Sequence, residues 1–168
     1  MNAYVRLISK LSDWVGFVLM WLSWFLMAII VWEVLIRNFL NRPTIWAHEL
    51  SVMLFGALTI LSGGYTLKEK GHVNMDLLYS SLSGRWKTIM DIIAFPFLLI
   101  FAVVLMWLGW GFAMDSFNTN EVSITPWAPL IWPVKFLVPL GALLLLLQGT
   151  AKLVADVLTL IGGKGGAE

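Results

Sequence analysis

Residues 89–114 read IMDIIAFPFLLIFAVVLMWLGWGFAM, and from Ile92 to Met114 no side chain is ionisable. An α-helix needs ~20 mostly apolar residues to cross the ~30 Å hydrocarbon core of a bilayer. The run lacks the apolar–polar alternation of a barrel strand, and a helix satisfies every backbone donor and acceptor within itself. This stretch is therefore a membrane-spanning helix, and it sets the solvent in which the rest of the chain must be read.

Working outward, three further runs meet the same criterion, at residues 14–36, 45–67 and 131–154. The whole composition agrees. Of 168 residues, 60% are hydrophobic and 12% charged, with a mean hydropathy of +0.85, whereas soluble domains carry about 25% charged residues. The expected fold is an all-α integral membrane protein, a single domain over residues 1–168 with four spanning helices and no linker long enough to divide it. The first run is long enough to stay in the membrane rather than be cleaved as a leader. No cysteine is present, which excludes disulfides, thiolate metal sites and iron–sulfur clusters. A net charge of +1, without a basic run interleaved with aromatics, gives no nucleic-acid surface.

Orientation follows from the positive charges. Arg6, Lys10, Lys68, Lys70, Arg85, Lys87, Lys152 and Lys164 fall on one side, against Arg37, Arg42 and Lys135 on the other. Both termini and the second loop are therefore expected to be cytoplasmic. Trp32, Trp46, Trp107, Trp110, Trp127 and Trp132 gather toward the opposite side, and Trp14 and Trp86 mark the inner boundary, as an aromatic belt requires.

The connections carry specific expectations. Tyr4, Val5, Leu7, Ile8 and Leu11 alternate with Arg6, Lys10 and Asp13 at helical spacing, so this segment either lies in the interface or extends helix one. Pro43 suits the first turn of helix two, Pro96 should kink helix three, and Pro126, Pro129, Pro133 and Pro139 should delay or distort the start of helix four. In the second loop Asp76 can cap a short interfacial helix whose Leu77, Leu78 and Leu82 face the membrane.

Ionisable residues in or near the spans need partners. Glu33 and Arg37 stand four apart on one face of helix one, and Glu49 on helix two is the other acid within reach of Arg37. Lys152 and Asp156 make a similar pair in helix four. On helix two Glu49, Gly56 and Gly63 recur at sevens with Val52 and Thr59 between them, a face on which another helix can approach closely. His48 and His72 lie 24 residues apart, about 36 Å along a helix, too far to share a haem or metal. The central parts of the spans hold no carboxylate or cation from which an ion pathway could be built, and no cofactor is implied. The third loop, residues 115–130, is the largest exposed segment on the outer side. Asn118, Asn120, Glu121 and Trp127 make it the natural place for a soluble partner to dock.

Arg37 and Asn38 ending helix one, Trp46, Ala47, His48 and Glu49 opening helix two, Gly64 within it, and Gly71, His72, Val73, Asn74, Met75 and Asp76 in the cytoplasmic loop form an ordered set. Together they resemble the small membrane subunit of TRAP, tripartite ATP-independent periplasmic, transporters. The resemblance spans Glu33 to Leu82, and the four-helix layout extends it to the whole chain. It implies a bacterial inner-membrane protein that pairs as a heterodimer with a large membrane subunit, served by a periplasmic substrate-binding protein. The large subunit would carry the substrate and sodium sites and move as an elevator, and the small one would anchor its static scaffold during uptake of an organic acid. The family usually has two acids after the Trp-Ala pair, and here His48 replaces the first.

Two readings from other classes stand beside it. An autonomous small proton-coupled exporter would need a carboxylate in the middle of helix one, but Glu33 lies near its end with Arg37 beside it. A membrane anchor for an enzyme complex would need only the apolar spans. An enzyme acting alone lacks any grouping of nucleophile, base and orienting residue.

Overall fold

The computed structural model describes residues 3–42, 44–69 and 84–161, with side chains over 4–42, 44–69 and 89–158. The helices are α1 (Ala3–Leu40), α2 (Ala47–Lys68), α3 (Gly84–Asn118) and α4 (Trp132–Ile161). All four are long and apolar enough to span a bilayer. Their starts and ends define a basal end, where α1 and α3 begin, and a distal end carrying the connections 41–46 and 119–131.

α1 settles the reading left open for its first residues. It is one uninterrupted helix of 38 residues, about 57 Å at 1.5 Å per residue, so the segment before Trp14 extends helix one and is not a separate interfacial helix. Tertiary contacts hold the extension. Ile8 and Ser12 are buried, Ser12 Oγ donates to Gln148 Oε1 of α4 at 2.9 Å, and Tyr4 Oη lies 3.0 Å from Thr150 Oγ1. The short interfacial helix expected around Asp76, and with it Gly71 and His72, lies outside the described residues.

Pro43 and the prolines before α4 behave differently from expectation. α2 starts at Ala47, so its first turn does not include position 43, and Pro43 lies outside the described residues. α4 starts at Trp132 without delay, because Pro133 occupies the first turn, where the missing N–H has no partner to lose. Pro139 sits inside the continuous helix, and the helix of α3 likewise runs through Pro96. Each leaves one carbonyl, four residues earlier, without its helical donor.

The helices do not form a closed bundle. α1, α2 and α4 pack on one another and α3 packs chiefly on α4, so three helices form a cluster with α3 on its flank. Lipid tails supply no hydrophobic drive for such contacts, and close approach at small residues supplies it by dispersion. A Cβ on Gly141 would stand 2.7 Å from the carbonyl oxygen of Ile60, and one on Gly64 3.2 Å from the backbone of Leu144, which places α2 and α4 almost backbone to backbone. On the other flank of α4, Gly109 of α3 leaves room for Val138 and the Pro139 ring, and Gly149 accepts Leu98. Gly16 of α1 lies under the Tyr65 ring. Ala57, Ala102, Ala113, Ala142 and Ala151 are all buried.

Of the packing residues expected on α2, Gly64 packs within the chain, and the face of Gly56 and Gly63 stays open to a second protein. Gly56 and Gly63 meet nothing within 4 Å, and Val52 and Thr59 are exposed. The buried face is Ala57, Gly64 and Leu67, with Ile60 against Gly141. That face lies about 100° round the helix from the expected one. Both faces repeat small residues at sevens, and periodicity alone does not choose between them.

One substitution should therefore have opposite effects at two glycines. Gly141→Ala should destabilise the purified chain by about 1–3 kcal/mol, as overpacking against a backbone does. Gly63→Ala should leave it unchanged or raise it by about 0.5–1 kcal/mol through helix propensity. Thermal unfolding in mild detergent reads both.

Candidate functional site

Polar contacts concentrate at the two ends of the layer. At the basal end Lys68 of α2 pairs with Asp13 of α1, and Lys152 of α4 reaches Asp91 of α3 at 3.0 Å. Where the sequence pointed to Asp156 on the same helix, the structure also ties Lys152 across to a second helix. These groups staple all four helices at one level.

The distal end is where the expected site residues meet. Glu33, near the end of α1, accepts from both the hydroxyl and the backbone N–H of Thr44, the latter at 3.3 Å, and so fastens the α1–α2 connection. Glu49, in the first turn of α2, accepts from the hydroxyl of Thr125 in the α3–α4 connection. Neither acid is ion-paired with Arg37 among the described residues, which corrects the expected Glu33–Arg37 and Glu49–Arg37 contacts. Arg37 is exposed in the last turn of α1, where its charge complements the helix dipole. His48 is exposed and Trp46 occupies the cap position before α2.

The connection 119–131 is a built hairpin rather than a loose loop. Asn120 turns the chain out of α3 with φ 47°. The Glu121 N–H then donates to Ser116 O at 3.0 Å, and the Glu121 carbonyl accepts from Ile131 N–H at 3.0 Å. Val122 and Leu130 form an antiparallel bridge, and the Ser123 N–H donates to Pro129 O at 2.9 Å. A turn over Thr125–Ala128 closes the tip, with Pro126 in its second position and the Ala128 N–H bonded to Thr125 O at 3.0 Å. Ala128 leaves that turn at φ 45°, a left-handed conformation costing a non-glycine residue roughly 1–2 kcal/mol. The surrounding hydrogen bonds hold it there.

Side chains lock the hairpin to the helices. Lys135 of α4 pairs with the Glu121 carboxylate and lies 4.1 Å over the Phe112 ring. Trp110, Phe117, Trp132 and Phe136 pack edge to face beneath it, with centroids 5.3–6.4 Å apart. The Lys135 ammonium, and after it the Ser116 hydroxyl, hold the Glu121 carboxyl below its ordinary value of 4.5. Ser116 Oγ is buried near that carboxylate without completing a hydrogen bond of good geometry.

The result is a fixed knob with apolar side chains turned outward. Ile124 at the tip is fully exposed, and Val122, Trp127 and Leu130 are 40–50% exposed, with Asn118 and Asn120 beside them. Among the described residues no three metal-binding side chains converge. The sequence reading named Asn118, Asn120, Glu121 and Trp127 in this connection but not Ile124, Thr125, Ser116 or Thr44. The Thr-Pro step at 125–126 was the available turn signal.

The sequence model of the family described as tripartite ATP-independent periplasmic transporters, DctQ component, matches residues 26–159. The chain is also similar to the sialic acid TRAP transporter permease protein SiaT of Haemophilus influenzae (strain 86-028NP), at 25% identity over 120 residues. That alignment covers 71% of this chain and 18% of the relative.

The Glu121–Lys135 lock should show in hydrogen exchange. A carboxyl whose pKa is lowered on folding contributes stability above its unfolded value and loses it as pH falls through the lower folded one. Protection of the Glu121 and Ile131 amides should thus be high at neutral pH and fall on acidification below 4.5. Lys135→Met should lower it already at neutral pH and flatten the pH dependence.

Proposed function

Because the chain belongs to the DctQ component family of the tripartite ATP-independent periplasmic transporters, we propose that it is the scaffold and docking partner of a large membrane subunit that moves an organic acid across a bacterial inner membrane, driven by sodium. Family membership makes it a transporter component and a multi-pass membrane protein. The observation that carries the finer reading is the open packing of the helices. An open arrangement with so much apolar surface left exposed along α1 is suited to enlarge another membrane body.

The absence of ionisable side chains from the mid-span of α3, and the engagement of Glu33 by Thr44 at the distal end of α1, fit a static scaffold better than an ion carrier. Substrate and coupling-ion chemistry then belong to the large subunit. The basal staples keep the layer rigid while its partner moves.

In this reading the distal hairpin is part of the landing surface for the periplasmic substrate-binding protein. A docking contact that must form and break in each cycle suits a small preformed knob, since no ordering entropy is spent at each encounter. Ile124 and Trp127 would supply apolar contact and Asn118 and Asn120 hydrogen bonds. Arg37, together with Glu49 through Thr125, would hold the neighbouring rim against the large subunit.

Affinity purification of the tagged chain in mild detergent should bring down a large multi-helix membrane protein in equal amount, and recovery of the chain alone would count against the proposal. Arg37→Ala or Glu49→Ala should lower the yield of that complex without changing which substrate is taken up. Ile124→Glu should leave the complex intact and slow uptake when the binding protein is limiting. Unchanged uptake under that limit would remove the docking role.

A further inference from the structure

The exposed surface of the layer is of two kinds. α3 shows Phe97, Ile100, Phe101, Val104 and Leu108, and its exposed tryptophans, Trp107 and Trp110, lie in its distal part. Its spanning window has a mean hydropathy of 2.7. Hydrocarbon tails are an adequate solvent for such a face, with the indoles at the headgroup level.

α2 is different. Val52, Phe55 and Thr59 are exposed too, yet the mean hydropathy of its spanning window is only 1.6. A groove of about 650 Å³ runs between α1 and α2, lined by Gly16, Phe17, Met20, Ser23, Thr59 and Ser62 among others. The three hydroxyls each donate to a carbonyl of their own helix, at 2.8 Å for Ser23 and 2.9 Å for Thr59 and Ser62. Each hydroxyl oxygen retains acceptor capacity that lipid tails cannot use. Along the adjoining face of α1, Trp21 and Trp24 are 59% and 60% exposed. They sit midway along the helix, seven and ten residues beyond Trp14, where in hydrocarbon an indole N–H has no acceptor unless protein supplies one.

A groove with oxygen acceptors, flanked by mid-span N–H donors, fits polypeptide and not lipid. Its volume suits the side chains along one face of a helix. The occupant follows from the sialic acid relative, in which the matched region is 18% of the chain. Most of that permease polypeptide lies outside a domain like this one and has to pack beside it.

We propose that the α1–α2 groove, with Trp21 and Trp24 at its edge, receives a transmembrane helix of the large permease subunit, and that α3 faces lipid. The assignment rests on the reading of the chain as the small subunit of a TRAP transporter. It names the surface through which that subunit is held.

Site-specific photo-crosslinking in cells making the intact transporter tests it. A photoreactive amino acid is placed at Met20, Trp24 or Thr59, and for comparison at Ile100, Phe101 or Leu108 of α3. The groove positions should give an adduct identified by mass spectrometry as a polytopic membrane protein homologous to the part of the sialic acid permease outside the match. The same adduct should be absent from the α3 positions. Thr59→Phe, which fills the groove from an exposed position, should reduce recovery of the large subunit while leaving the thermal midpoint of the purified chain unchanged.

An adduct only from α3, or an adduct of two copies of this 18.9 kDa chain from the groove, would overturn the assignment. If the large subunit still co-purifies in either case, the face is wrong and the function stands. If no large membrane protein co-purifies at all, the functional reading falls and the groove assignment with it.

Discussion

The close approach of α4 to its neighbours is the constraint on which the rest of the structure depends. Helices in lipid gain nothing from burying apolar surface already dissolved in hydrocarbon, so they associate where backbones can come near enough for dense dispersion contact. Gly141 against Ile60 and Gly64 against Leu144 bring α2 to one flank of α4, and Gly109 against Val138 and Pro139 bring α3 to the other. The Gly-Ala pair at 141–142 and the Gly149–Ala151 segment make α4 the narrowest helix at its contacts, and so the hub of the layer. A side chain at any of these glycines would push a neighbour away, and every other contact follows their register.

Two sets of polar bonds then fix the ends of what the glycines bring together. At the basal end the Asp13–Lys68 and Asp91–Lys152 pairs link α1 to α2 and α3 to α4, with Ser12–Gln148 joining the two halves. At the distal end Glu33 and Glu49 hold connecting segments, and Glu121, itself in a connection, ties that segment to Lys135 of α4. The acids that looked like an ion-pairing cluster around Arg37 instead order the loops. This leaves Arg37 exposed at the rim and converts the 119–131 segment from a flexible connection into a fixed hairpin.

The resulting shape explains why a chain of this family has so little core. A closed bundle would hide its small-residue faces, but this open arrangement exposes two broad surfaces of unlike chemistry. One, along α3, is fit for lipid. The other, along α1 and α2, carries hydroxyls, open glycines and mid-span indoles. The proposed scaffold role would use this asymmetry, with one side toward the membrane and the other toward the large subunit.

Much of this was legible in the residues. The runs at 14–36, 45–67, 89–114 and 131–154 foretold all four helices, because hydrocarbon demands about twenty apolar residues and tolerates only a structure that satisfies its own backbone. The ordered motifs from Arg37 to Asp76 led to the family that the comparison then showed. The sequence could not choose between the Gly56–Gly63 and Ala57–Gly64 faces of α2, pair Lys152 across to α3, or see Thr125 reach back 76 residues to Glu49. Composition and helix length follow from the solvent, and each residue reports on that solvent by itself. Which small residue meets which backbone depends on the relative placement of helices far apart in the chain, and only the packed structure decides that.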